Sequence, residues 1–512
     1  MAHVIIAAPV HTLYRALRVY TLSHPPMGEW VLIDERHVER VGTGEPPAAE
    51  RVVELPGATI VPGFIDSHVH LTGTGTHHQA PGLGSARSAE ELLDAVSRVL
   101  KARTGVVLVH GYDESKWQRR EPPALAELDA LSDRALAIVR VDGHLTLANS
   151  RALEEAGVLE ADGSERDDNG RPTGKVTREA NAKLRRWFEQ HLADRDVEQL
   201  QLEAACSAVA HGVTCVHEMS MPAERGIRDL QILLGHRSRL PVDVVAYVAT
   251  TDVAQVMDLG LHRIGGDLPV DGSIGARTAW VGQPFADGEG CGTAYFETDT
   301  LVRFFHDGHL AGFQVGVHAI GDAAIRQVVE AWERVYRSLD SRDRRHFRAR
   351  RHRIEHFEMP DADLIERAAA LGLAISVQPS FDAEWGHPGG LYEQGLGWGR
   401  AEAMNPFRNL LERGLEVGAG SDSPVTALDP MAAIIAFESH HDEAQRLSRE
   451  AAVRAHTIGS ARLAHLEEKK GSLAPGTHAD FAVYETDPLT AESLEGVRPI
   501  LTVSLGRDVY AS

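Results

Sequence analysis

Beyond residue 200 the chain repeats one rhythm: a short apolar run, a polar loop, then a stretch with helical spacing. Runs of four to eight apolar residues bounded by turn signals read as buried strands. Candidate strands are 214–218, 242–248, 264–271, 313–318, 353–357, 373–378 and 416–421, and candidate helices include 322–336 and 361–371. An eighth strand precedes them at 59–71, TIVPGFIDSHVHL, where Pro62-Gly63 break an apolar run that closes on His68 and His70. Eight strands alternating with helices predict an α/β fold, a parallel (β/α)8 TIM barrel spanning 61–465.

The flanks follow other rhythms. Residues 1–60 give short strands at 4–6, 18–21, 30–33 and 51–55, too little chain for a core. The C-terminus supplies similar pieces at 471–473, 480–484 and 501–505, so 1–60 and 466–512 are expected to pair in one small β-sandwich. Between the first two barrel strands lies an excess of roughly 140 residues, far more than a barrel loop needs. This insert, about 75–205, carries strands at 106–109 and 136–141 and is expected to form a cap that excludes water from the barrel mouth.

Composition removes several functional classes. A formal charge of −22 over 512 residues, with basic residues clustered only at 342–353, excludes nucleic acid as a partner. That basic stretch mixes Arg with His and Asp, and reads as a solvated helix end or a subunit contact. No segment reaches the ~18 apolar residues of a membrane helix, and the N-terminus lacks a signal-length apolar core. Cys206, Cys215 and Cys291 are far apart and odd in number, which fits neither a disulfide framework nor a Cys-x-x-Cys site and suits a reducing cytoplasm.

The strand ends carry the chemistry, because barrel sites form there. His68 and His70 stand two apart, which sends both imidazoles to one face of a strand. Later strands close on His217-Glu218, Asp267 or Asp271, His318, His356, Gln378 and Asp422. Imidazoles and carboxylates drawn from several strands suit Zn2+, Mn2+ or Fe2+ better than Mg2+ or Ca2+. Asp422 can take a proton from water activated by such an ion and return it to a leaving amine.

GFIDSHVH, VDGHLTLANS, RPTGKVTREA, DGSIGARTA, VGVHAIGDAAI, RIEHFEMP, GSDSPV and GSLAPGTHADFAVY together resemble the amidohydrolase superfamily, in particular its YtcJ-like branch. The likeness runs nearly end to end. It implies a barrel flanked by a composite β-sandwich, hydrolysis at C–N bonds with a divalent ion, most simply zinc, and a homodimer or larger homo-oligomer. By position it implies His68, His70, His318 and Asp422 as ligands of a first ion, and His356 as the residue that binds a second ion or orients water. Where many relatives carry a bridging carboxylated lysine, this chain has Asp267. Its shorter side chain either bridges two ions through a local backbone shift or supports a single ion, and one tightly held ion is the expectation.

Other residues have alternative readings. His144 faces the metal from the insert or is a loop residue bonded to backbone. Glu179 is a first-turn helix acid that caps or contacts substrate. Arg277 anchors a substrate carboxylate or pairs with Asp271, and His217 and Gln378 close strands at the pocket. Residues 381–398, aromatic and too Gly-rich for a helix, are expected to form a pocket wall. Relatives often place a His near Ser380-Phe381. Net acidity and these aromatics favour a small neutral or cationic substrate. The leading reading is hydrolysis of an amide, N-acyl, N-formyl or cyclic amide bond. Deamination of a heterocycle is its close alternative, and a metal-dependent decarboxylase comes from a different class. A metal-stabilised binding protein would lack Asp422 or a His ligand, and none is missing.

Overall fold

The computed structural model describes residues 11–78, 83, 85–114, 117–140, 145–288 and 290–512. Contacts divide the chain into one unit of residues up to 69, 206–220 and 241–512, and another of 70–205 with 221–240.

In the first unit both ends of the chain meet in one seven-stranded sheet, ordered Arg507–Ala511, Leu501–Ser504, Phe481–Tyr484, Arg51–Pro62, His11–Tyr20, Met27–Asp34, His37–Gly42. The join is antiparallel, Phe481 opposite Pro62 and Tyr484 opposite Thr59. Tyr14, Ile60, Phe481, Val483 and Val503 form its buried face. The expected strand at 471–473 is absent, and the one at 4–6 lies outside the described residues.

The same unit holds eight parallel strands, here β1 (Phe64–Val69), β2 (Val213–Ser220), β3 (Asp243–Val248), β4 (Arg263–Ile264), β5 (Gln314–Ala319), β6 (Arg353–His356), β7 (Ala374–Val377) and β8 (Glu416–Ala419). They pair as β3-β2-β1 and β4-β5-β6-β7-β8. Two joins close the ring: Gly265 N donates to Val248 O at 2.7 Å, and Asp422 N to His68 O at 2.8 Å beside a parallel bridge between Val69 and Ser423. The result is the TIM-barrel-like α/β fold that the alternation of strands and helices predicts. Helices follow from local signals. Asp322–Ser338 buries Ala324, Ile325, Val328, Trp332 and Val335 at helical spacing. Ala362–Leu371 starts on the Asp361 side chain, which accepts from Leu364 N, and stops at Gly372 in the left-handed region.

Two expectations are corrected. The strand expected over 264–271 ends at Ile264, because Gly265 and Gly266 take φ of 83° and 59° and turn the chain. Residues 381–398 are not an irregular loop. Helices Pro379–Trp385 and Leu391–Leu396 occupy most of the stretch. Pro379 sits in the first helical turn, where its missing N–H costs nothing, and Gly386, Gly389, Gly390 and Gly397 fall between helices rather than inside them.

The second unit has its own five-stranded sheet, ordered Val107–Tyr112, Leu136–Arg140, Leu145–Ala148, Pro172–Thr177, Ser164–Arg166. Leu92, Val96, Val109, Tyr112, Leu136 and Ile138 pack one part of its core, and Val139, Leu153, Val176, Leu184 and Phe188 another.

Candidate metal centre at the strand ends

Three strand ends of the first unit bring imidazoles together around one carboxylate oxygen, and a second carboxylate stands beside one of them. Asp267 Oδ1 lies 3.2 Å from His356 Nε2, 3.3 Å from His318 Nδ1 and 3.7 Å from His68 Nε2. Asp422 Oδ1 lies 3.4 Å from the same His68 nitrogen. Asp267 reaches this point through the Gly265-Gly266 turn. A Cβ on Gly265 would sit 2.0 Å from Gly316 O, and one on Gly266 2.5 Å from Tyr247 Cβ, so only glycines pass there. After the turn the chain rejoins β5, with Leu268 O accepting from His318 N at 3.0 Å.

Each imidazole is held on its far side. His68 Nδ1 is 3.0 Å from Glu355 Oε2, His356 Nδ1 is 2.7 Å from Gln378 Oε1, and His318 Nε2 is 3.1 Å from Gly272 O. A carboxylate, an amide oxygen or a backbone carbonyl accepts here, so each ring donates outward and turns its other nitrogen toward Asp267. Ligating histidines are oriented in this way. Three imidazoles facing one carboxylate are balanced only by protons or a cation among them. Protons leave a mark: against burial, Asp267 and Asp422 push His356 up to about 9, and Asp267 raises His318. The histidines in turn hold Asp267 well below the ordinary carboxylate range, although burial acts the other way. The donor set therefore fits a divalent ion.

Behind His68 lies a buried ion pair that the sequence reading passes over. Arg353 and Glu355 are both fully buried on β6; the guanidinium donates twice to Glu355, at 2.8 and 2.7 Å, and also to Ser67 O, Tyr247 OH and His217 Nδ1. Opposite charges two apart in a buried strand share one face, and that is the signal RIEH offered. Because a guanidinium only donates, His217 Nδ1 is its lone-pair nitrogen and the ring proton stays on Nε2. Burial and Arg353 keep His217 well below its ordinary pKa, so it is a neutral N–H donor.

The remaining candidates fall out as follows. Gln378 is buried and orients His356. His70 follows β1 by one residue, at the division between the two units. Arg277 does not pair with Asp271: its Nε donates to Asp287 at 2.6 Å and its Nη1 to Ile274 O at 2.7 Å, which ties it into its own loop. Asp271 instead accepts from the backbone of Trp280, Ile320 and Gly321. Glu179 is exposed in the first turn of helix Arg178–His191, in the second unit. His144 lies outside the described residues. Phe381 stacks on His356, centroids 5.9 Å apart and planes 10° from parallel.

The fold and these donors define a metal-dependent hydrolase of the barrel type, and the model of the Amidohydrolase family matches residues 51–510. The chain belongs to the amidohydrolase family. It is 27% identical over 500 residues to the putative amidohydrolase YtcJ of Bacillus subtilis, covering 90% of this chain and 89% of that one. It is 24% identical over 503 residues to an N-substituted formamide deformylase of Arthrobacter pascens, covering 90% of each. Among solved structures, an uncharacterized metal-dependent hydrolase from Pyrococcus horikoshii superposes with a TM-score of 0.78 at 26% identity, over 95% of this chain and 99% of that one.

Two predictions arise here. Glu355→Gln should weaken Zn2+ binding by about 10- to 100-fold, the usual cost of losing an outer partner of a ligand. Competition against a chromophoric chelator measures it, and unchanged affinity would remove Glu355 from the centre. The second concerns pH. His356 is raised from 6.5 to about 9, so in metal-free protein its contribution to stability is complete below pH 6.5 and lost as pH rises through about 9. Melting temperature of the metal-free protein should therefore fall across that window, and Glu or Gln at His356 should flatten the fall.

Proposed function

We propose that this protein hydrolyses an amide-type C–N bond of a small molecule, an N-acyl or N-formyl amine or a cyclic amide, with zinc as the ion. The observation that carries the reading is the convergence of His68, His318 and His356 on Asp267, with Asp422 beside His68 and each imidazole already held outward. His68, His70, His318 and Asp422 would hold the ion, with His356 and Asp267 beside it. A bound divalent ion supplies Lewis acidity and lowers the pKa of water.

The chain's own groups do the rest. Asp422 accepts a proton at its carboxylate and returns it to the departing amine. His217, fixed as a neutral donor by Arg353, is suited to hydrogen-bonding an oxygen on which negative charge develops. Phe381, flat against His356, gives the substrate an aromatic wall. The deformylase relative supports the N-formyl class.

The test is a panel of N-formyl and N-acyl amines, cyclic amides, aminated heterocycles and carboxylates, offered to zinc-loaded protein. Release of a free amine or ring-opened acid from the first two groups is expected. Ammonia from the heterocycles alone, or CO2 from the carboxylates alone, would replace the proposal with a deaminase or a lyase.

A further inference from the structure

Away from Asp267, the first unit gathers a second set of ligand-type side chains. Asp382 belongs to helix Pro379–Trp385, while His440 and His441 follow helix Pro430–Glu438. Their side chains are 2%, 0% and 4% exposed, and their ligand atoms all lie within 4.8 Å of one another. Asp382 Oδ1 is 2.5 Å from His441 Nδ1 and 3.3 Å from His440 Nε2.

Both rings are braced from behind. His441 Nε2 lies 3.1 Å from Glu402 O, so it donates there and turns Nδ1 to Asp382. His440 Nδ1 meets Asp442 in two ways, 3.1 Å from its carbonyl and 3.0 Å from its N–H. If Nδ1 donates to the carbonyl, a lone pair on Nε2 opposes the Asp382 carboxylate. If Nδ1 accepts, Nε2 carries a proton that makes no hydrogen bond in a fully buried position. A cation between the three groups resolves the first arrangement, and backbone carbonyls behind the rings are the partners that ligating histidines use.

Room for that cation is kept by Gly386. A Cβ there would stand 2.5 Å from Asp382 Oδ1 and 2.8 Å from both His441 Nδ1 and the Asp382 carbonyl oxygen, so it would crowd the helix end as well as the space between the ligand atoms. The backbone at Gly386 has φ −81°, which any residue adopts, so backbone conformation does not require glycine.

We propose that Asp382, His440 and His441 bind a structural divalent transition-metal ion, separate from the hydrolytic centre. Two imidazoles and a carboxylate suit Zn2+ or Co2+. Uptake exchanges the proton between His441 Nδ1 and Asp382 for the ion. The ion clamps helix Pro379–Trp385, which carries Phe381, to the segment after helix Pro430–Glu438.

The test uses full-length protein stripped by a chelator and titrated with Co2+ and, separately, Zn2+. Wild type, Gly386→Ala and His440→Gln are compared by visible absorption and by plasma mass spectrometry after gel filtration, with circular dichroism to verify folding. Gly386→Ala removes no ligand and places a methyl group where the ion belongs. Wild type should hold one equivalent more than either variant, and one component of its Co2+ spectrum should be missing in both. Equal equivalents and superimposable spectra in wild type and Gly386→Ala overturn the proposal, whether or not His440→Gln folds. Asp267→Ala, run in parallel, reports on the hydrolytic centre alone, so the two sites fail independently.

Discussion

Asp422→Asn should lower kcat by about 10²- to 10⁴-fold, the range that positioned proton transfer contributes, while zinc-loaded protein keeps its fold. Asp422 has φ 53°, a left-handed conformation in which Asn is among the few side chains at ease. Its backbone N–H, which donates to His68 O, is untouched by the change. The amide keeps an oxygen where Asp422 Oδ1 faces His68 Nε2, but it cannot accept and return a proton at neutral pH. Steady-state assays with the amine-releasing substrate, at saturating zinc and with metal content measured on the same samples, separate the two roles. Near-full turnover with metal bound would mean that another group moves the proton. Lost turnover together with lost metal would make Asp422 chiefly a ligand.

The barrel and the joining of the termini were legible because buried parallel strands read as short apolar runs, and seven of the eight expected barrel strands appear within a few residues of their expected ends. Chemistry at those ends was legible for the same reason: a residue that closes a strand is aimed by it. What could not be read was whatever depends on the backbone leaving its regular path. The run 264–271 has the composition of a strand, but two consecutive glycines end it at Ile264 and let Asp267 swing to the shared point. Counting glycines over 381–398 suggested a loop, whereas four of the five fall between short helices and only Gly395 lies inside one. Glu355 and its partner His68 come from strands far apart in sequence that only the closed ring brings together, and Gln378 reaches His356 from the end of the neighbouring strand, a pairing that spacing alone does not announce. Arg277 shows the converse. Its fork suited a substrate carboxylate, yet Asp287, ten residues on, already binds it.

Asp267→Ala should remove the ion from the hydrolytic centre, at a cost beyond the 10- to 100-fold of an outer partner such as Glu355. Asp267 Oδ1 faces His68, His318 and His356 together. Without it three imidazoles confront one another, and a cation there loses the carboxylate that offsets its charge. Plasma mass spectrometry should find the protein one equivalent poorer than wild type, with the equivalent assigned to Asp382 retained. A loss of one points to a centre with a single ion, to which Asp267 contributes as a direct or adjacent partner. A loss of two would make Asp267 the link between a pair of ions, a short carboxylate brought by the Gly265-Gly266 turn to where a longer, modified lysine would otherwise reach. No loss would place Asp267 outside the coordination sphere and leave the turn without a catalytic purpose. Gly266→Ala distinguishes these further, because its Cβ would lie 2.5 Å from Tyr247 Cβ and displace the turn while leaving the carboxylate in the chain. If position matters as the distances imply, that variant should lose metal as Asp267→Ala does.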